Sequence, residues 1–356
     1  MADADKATVT QAENASPKPR RRGCVGHCVR FWWVYLIALC VIVVVVVPCI
    51  LLVAVPKIAQ QKLDEAELIV DGITVTDATP TRMIMSINST IKSDGKVHAK
   101  IAPFEGVMYL TDLEPHTPFA RINFPETTSA ALQTVNVTQV LTIEDVAALS
   151  TFNKWLTLNE SVRVTVEGDT TVRVSGIPRN YPVTFRQTVT LAGLKNLEGT
   201  EVEPTWISLK ADENGNNFKA IARIPNPSVA TFELGNVTFN DYLLGKYVGI
   251  IYFDNLTIRP GLNEVPMRAT IDNGPVVAAL GAKPYCEQGG VLPFVFTGRS
   301  VVNAANESLP YFAEALAAVN QTTNIPIGAQ VKKDLNVTIP CAGEDSKEHK
   351  RSLWSL

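Results

Sequence analysis

Apolar and polar positions divide this chain into two regimes. From Phe31 to Val55 the sequence FWWVYLIALCVIVVVVVPCILLVAV carries no charged side chain, and at about 1.5 Å of helical rise per residue it is long enough to cross a bilayer core. Beyond it the pattern turns to period two. Val162, Val164 and Val166 alternate with Arg163 and Thr165, Val172 and Val174 flank Arg173, and Val183 and Phe185 lead to Val189 and Leu191. Alternation of this kind predicts half-buried strands, here with turns at Gly168-Asp169 and over 176–182. Further strands are predicted over 68–75, 82–91, 97–101, 106–110 and 120–124, and, after a connection over 198–204, over 207–210, 218–224, 231–239, 248–254, 256–259 and 265–271. Helical spacing is rare. Val146, Leu149, Phe152, Trp155 and Leu156 predict a helix over 143–156, with Thr142 and Asp145 as a capping box. A second helix is predicted over 309–319, with Ser308 as cap and Pro310 in its first turn.

These elements predict a mainly β protein: one N-terminal transmembrane helix followed by two tandem antiparallel β-sandwich domains with a few short helices. The expected divisions are a cytoplasmic basic tail at 1–30, a signal anchor at 31–55, a short helical stalk at 56–67, sandwiches at 68–200 and 201–341, and a disordered tail at 342–356. About 300 residues after the span suit two domains of ordinary size.

Charge orients the span. Lys18, Arg20, Arg21, Arg22 and Arg30 precede it, whereas Lys57 and Lys62 behind it are offset by Asp64, Glu65 and Glu67. The positive-inside bias places the N-terminus in the cytoplasm, and Trp32, Trp33 and Tyr35 suit the headgroup layer at that end. Pro48 is expected to bend the helix and Pro56 to end it. No small-residue cleavage site follows a short apolar core, so an uncleaved anchor is expected. Asn-X-Ser/Thr sequons begin at Asn88, Asn136, Asn159, Asn236, Asn255, Asn306, Asn320 and Asn336, all beyond the span, against one before it at Asn14. Roughly three would arise by chance in the later region, so the excess points to a lumenal or extracellular body with these asparagines as glycosylation candidates.

Cysteine usage follows the same division. Cys286 and Cys341 alone lie beyond the span and are the disulfide candidates of an oxidising compartment. Cys24 and Cys28 are palmitoylation candidates beside the bilayer, with two unmodified thiols as the alternative. His27 next to them lacks the second ligand pair of a structural zinc site. Residues 31–356 carry 26 basic against 32 acidic side chains, which leaves no basic face for nucleic acid.

Familiar residues come late in the chain. The series IARIPNPSVATFELGNVTFNDYLLGKYVGIIYFDNLTIRPGLNEVPMRATI resembles the late-embryogenesis-abundant type 2, or water-stress and hypersensitive-response, β-sandwich. It has Asn-Pro after one strand and Pro-Gly-X-Asn later. The preceding half, from SINSTIKSDGKVHAKIAPFEGVMYL to VRVTVEGDTTVRVSGI, is similar to the fungal domain-of-unknown-function 3712 family of single-pass membrane proteins. The resemblance implies a β-sandwich ectodomain and a vacuolar membrane location ahead of plasma membrane or endoplasmic reticulum, and it carries over no catalytic residue.

Chemistry-bearing patterns are sparse. His27, His98, His116 and His349 show no ligand spacing, and there is no Gly-X-Ser-X-Gly elbow, Walker loop or dinucleotide glycine series. Asp71, Asp77, Asp112, Glu144 and Asp145 are the acids from which a glycosidase pair would have to come, and their places at strand ends and a helix start suit turns and caps instead. The expectation is a non-enzymatic, cofactor-free protein, tethered to the bilayer through Phe31 to Val55, that recognises a lumenal protein partner. The alternative is a lipid or other apolar ligand held by the sandwich near Phe232, Leu234, Phe239 and Tyr252.

Overall fold

The computed structural model of the chain describes residues 31–342; the expected basic tail with Cys24 and Cys28, and residues 343–356, lie outside the described residues. The described residues form two compact units, 31–57 and 58–342. In the first, α1 (Trp32–Cys49) is followed by a π-helical turn (Ile50–Ala54) and the start of α2 (Val55–Asp64). No residue of α1 is buried, and its length and composition suit a bilayer span or a signal sequence. Pro48 supplies no N–H, and the wider π turn begins two residues later. Pro56 does not end the helix, contrary to expectation. It is the second residue of α2, which directly continues the π-helical turn and runs on to Asp64, so the helix carries a residue without an N–H donor just after that wider turn.

The second unit is built almost entirely from strands: β1 (Glu67–Thr76), β2 (Arg82–Lys92), β3 (Ala99–Ile101), β4 (Phe104–Leu110), β5 (Pro118–Phe124), β6 (Thr127–Thr128), β7 (Leu132–Thr142), β8 (Ser161–Val174), β9 (Asn180–Ala192), β10 (Glu201–Ile207), β11 (Phe218–Asn226), β12 (Ala230–Leu243), β13 (Lys246–Ile258), β14 (Gly261–Ile271), β15 (Val291–Val302) and β16 (Gln321–Pro326). Among the described residues four further α-helices, α3 (Val146–Leu158), α4 (Asn273–Gly281), α5 (Pro310–Ala317) and α6 (Ile327–Leu335), and a 3-10 turn (Lys195–Leu197) accompany them. The smaller of two sheets runs β5-β4-β8-β3-β6 with β9 on the other edge of β8; the larger runs β10-β11-β14-β13-β12-β1-β2-β7, with β15 on β12 and β16 on β15.

β12 is the pivot. Along one edge its first residues pair in parallel with β1, from Ile73↔Ala230 to Val75↔Phe232, and its later residues pair antiparallel with β15, from Asn236↔Val302 to Leu243↔Phe294. The two stretches expected as separate sandwiches therefore share one ten-stranded sheet. On one side of the pivot, β1, β2 and β7 pack against the smaller sheet. On the other, β15 and β16 curl round until β16 meets β10, where Thr323 Oγ1 donates to the Thr200 carbonyl at 3.2 Å. The result is a partly closed barrel of β10, β11, β14, β13, β12, β15 and β16. Its inward residues, among them Val237, Phe239, Leu243, Val248, Ile251, Met267 and Ala269, are almost fully buried.

Several local expectations are corrected. β8 runs through Gly168-Asp169 without turning, because Gly168 lets the Glu105 carbonyl approach to where a Cβ would lie only 2.4 Å from its oxygen. β13 likewise absorbs Asn255 in a left-handed conformation instead of breaking in two. α3 is capped by Asp145, whose carboxylate accepts from the Ala148 N–H at 2.9 Å, and not by Thr142, which ends β7. Ser308 likewise does not cap α5; Leu309 stands at the cap position with Pro310 as the first helical residue. α3 and α5 pack together, with Asn153 Nδ2 donating to the Tyr311 carbonyl and the Tyr311 hydroxyl to the Thr79 carbonyl at 2.8 Å. Residues 58–64 of α2 cover the free edge of β9: Gln60 exchanges two hydrogen bonds with the Thr184 backbone, and Gln187 donates to the Leu63 carbonyl. β6, β7, β15, β16, α4 and α6 are elements that periodicity did not predict, and the first edge strand of the later half, β10, lies over Glu201–Ile207, where a connection over 198–204 was expected, and not over 207–210.

Candidate functional site

One end of the barrel does not fill. The inward stripe of β12 reads Val237, Phe239, Asp241, Leu243, so a carboxylate stands in register with core side chains. Asp241 lies opposite Gly249 on β13 and Phe296 on β15, in the middle of the sheet. Around it Phe218, Ile251, Met267, Phe294 and Phe296 line a cavity of about 230 Å³, closed over by α4, α6 and the segment 337–339. On the scale where a cavity of about 150 Å³ takes benzene, this one has room for about nine carbon atoms.

The closing elements are held by specific contacts. Asn217 extends the ladder with its side chain: Nδ2 donates to the Ile271 carbonyl at 2.7 Å and Oδ1 accepts from the Ile271 N–H at 2.8 Å. That fixes the end of β14 just before Asp272, whose carboxylate caps α4 through the Gly274 N–H. Asn273 Nδ2 reaches the Leu209 carbonyl. Asp334 on α6 accepts from the Ile207 N–H at 2.8 Å and so joins α6 to edge strand β10. Gly290 and Gly328 let the chain before β15 touch the start of α6: a Cβ on Gly328 would sit 2.4 Å from the Gly289 carbonyl oxygen. A disulfide between Cys286 and Cys341, Cα atoms 5.3 Å apart, ties the segment carrying Val337 and Ile339 to the turn after α4.

Polarity inside is concentrated on one group. Among the described residues, Asn217, Asn273 and Asp241 are the polar side chains on the wall, and the two asparagines are engaged as described. Asp241 is 3 % exposed, and its Oδ1 has no hydrogen-bond partner. Burial pushes its carboxyl up to about 8, opposed only by the Tyr242 backbone N–H, so the acid is neutral near pH 7. A neutral carboxylic acid offers one donor and one acceptor face. At the rim, Leu209, Val277 and Val337 are 63 %, 44 % and 49 % exposed although all three also line the cavity. The arrangement suits reversible binding of an apolar molecule with one polar group.

The residues singled out from the sequence fall elsewhere. Phe232, Leu234 and Phe239 are buried together around a cavity of about 50 Å³ under α3 and α5, and Tyr252 is half-buried beneath the Arg268 guanidinium, 4.6 Å from its ring centre. The acids do not converge: Asp112 pairs with Arg163, Glu144 with Arg121, Asp145 caps α3, Asp71 accepts from Thr90, and Asp77 takes a left-handed turn conformation. The Arg163 guanidinium holds the Asp112 carboxyl below its usual range. Among the described residues no group of three or more His, Cys, Asp or Glu side chains is placed to hold a metal. Seven sequon asparagines, Asn88, Asn136, Asn159, Asn255, Asn306, Asn320 and Asn336, are exposed; Asn236 is half-buried and accepts from the Asn255 N–H. Asp241 itself was missed, although its signal was legible: an aspartate on the apolar phase of a strand.

No curated protein matches the chain. Among solved structures it is similar to a glycosyl hydrolase family 2 member from Bacteroides cellulosilyticus at 12% identity and TM-score 0.19, covering 44% of this chain and 16% of that one. A bacterial adhesin from Mobiluncus mulieris matches at 9% identity and TM-score 0.19, over 71% of this chain and 83% of the adhesin. Red sea bream transglutaminase matches at 12% and 0.22, over 71% and 31%. The family described as Protein of unknown function (DUF3712) matches residues 117–240, from β5 into β12, and so includes most of the pivot strand.

Proposed function

We propose that this protein is a membrane-anchored binder of small apolar ligands, and that the barrel-end cavity is where it holds them. The observation that carries this reading is the combination of an apolar cavity with one buried carboxyl on its wall whose Oδ1 has no hydrogen-bond partner. Close-packed interiors leave few voids larger than water, and buried polar atoms are nearly always paired, so both departures in one place favour a ligand site over core. The resemblance to late-embryogenesis-abundant type 2 sandwiches and to fungal vacuolar membrane proteins agrees with an anchored, non-enzymatic role. In this reading α1 is an uncleaved anchor, the basic tail is cytoplasmic, and the barrel works in the lumen of the vacuole or outside the cell. The disulfide and the seven exposed sequons support that side.

The full chain, reconstituted in nanodiscs, tests the ligand reading by mass spectrometry of what it retains after washing. One apolar molecule per chain is expected, and Ala269→Phe, which places a ring in the cavity, should carry none while keeping its near-ultraviolet circular dichroism. Equal and negligible retention by both would end the proposal. A glycosidase-sensitive mobility shift, lost stepwise with sequon Asn→Gln variants, tests the orientation. A second reading, docking of a lumenal protein, is favoured by the edge strand β7, which exposes Leu132 and Val140 at 66 % and 60 %. Asn136 lies on the same exposed phase between them, so a glycan there would oppose it.

A further inference from the structure

Resting on that reading, we infer that the cavity selects a single-chain, uncharged alcohol, bound with its hydroxyl inward on the Asp241 carboxyl and its tail leaving between Leu209, Val277 and Val337.

Three observations lead there. The first is the absence of countercharge. Among the described residues the wall holds no Lys, Arg or His, so a fatty-acid carboxylate would enter an apolar space with no countercharge from them. The second is the state of Asp241. As a neutral acid it both gives and takes a hydrogen bond, which a hydroxyl matches with one atom. An amine would have to ionise the acid and bury two charges, a pairing whose attraction does little more than offset desolvation. The third is the polarity gradient. The polar end lies in the middle of the sheet between Gly249 and Phe296, while the rim is apolar and exposed, the reverse of a site that takes a chain tail-first and leaves its head in water. A tail that leaves through Leu209, Val277 and Val337 keeps the polar end buried and the apolar end against apolar side chains throughout. The volume sets the scale: about nine carbons lie inside.

The test uses the full chain in nanodiscs, with empty nanodiscs subtracted, and radiolabelled nonanol, nonanoate, nonylamine and nonane at about pH 6, where Asp241 is neutral. Nonanol is expected to bind one per chain and at least about tenfold tighter than the other three, the value of one satisfied buried hydrogen bond. Asp241→Leu should bring nonanol down to nonane, and Asp241→Asn, which still donates and accepts, should keep most of its affinity. The Asn variant also serves as the folded control if the Leu variant fails to fold. Nonylamine binding tightest, and lost in Asp241→Asn, would overturn the inference in favour of an ion pair; nonanoate binding tightest would overturn it as well. Nonane binding as well as nonanol would leave a ligand cavity without the hydroxyl selection and so refute this inference alone. No binding of any of the four would refute the underlying reading too.

Discussion

Asp241→Asn separates the charge of the buried acid from its shape. The wild-type carboxyl is 3 % exposed and raised to about 8 by burial, whereas in the unfolded chain it returns to about 4. Because the folded value lies above the unfolded one, the folded state binds the extra proton between them. The stability this supplies is fully present below pH 4 or so and is lost as pH rises through about 8. The loss runs at about 1.4 kcal/mol per pH unit and reaches roughly 4 kcal/mol by pH 7, an upper bound that any water entry would lower. Asparagine has nearly the same shape and no proton to lose. Thermal unfolding of both full chains in the same detergent, followed by tryptophan fluorescence at steps from about pH 5 to 8, reads the difference. The variant's Tm should gain on the wild type by about 3 °C per pH unit, since about 1 kcal/mol moves Tm by roughly 2 °C in a body of this size. Acids lowered by their partners, such as Asp112 beside Arg163 and Asp254 beside Arg268, are common to both chains and cancel. The neighbouring polar wall residues Asn217 and Asn273 do not titrate. Parallel Tm profiles would refute the reasoning, since they would mean that Asp241 ionises in the fold as it does in water.

Three further outcomes follow from particular contacts. Tyr311→Phe removes the hydroxyl that bonds the Thr79 carbonyl and should lower stability by about 1–2 kcal/mol in a denaturant titration, with no change in ligand retention. Replacing Cys286 and Cys341 by Ser opens a loop of sequence separation 55, worth about 4 kcal/mol by chain entropy, and frees the segment that carries Val337 and Ile339; ligand exchange from nanodisc-held chain should speed up as Tm falls. Gly328→Ala places a Cβ against the Gly289 carbonyl and should cost at least about 1–3 kcal/mol, whereas Gly176→Ala, with open space around it but φ of 86°, should cost only the backbone term of about 1 kcal/mol, both read from the midpoint of chemical unfolding.

The sequence by itself determined the apolar helix and most of the strands, because a charge-free run of bilayer length and a period of two are local properties that neighbours in the chain settle between them. Runs such as Val162 to Val166 and Phe218 to Ile224 sit where alternation placed them. It also picked out Cys286 and Cys341 by simple elimination, although pairing them needed the 5.3 Å approach of two segments distant in the chain. What it could not supply was pairing. The parallel contact of β1 with β12 puts residues 73–75 beside 230–232 and merges two apparent domains into one sheet, and no local pattern encodes a partner so far away. The same holds for the site. Phe232, Leu234, Phe239 and Asp241 share one inward stripe of one strand, and only the curl of β15 and β16 back to β10, with α4 and α6 laid across the end, decides that the first three pack under α3 and α5 while Asp241 faces a space. Burial of a side chain is set by what the rest of the chain places against it, so the phase of Asp241 was legible in sequence and its surroundings were not.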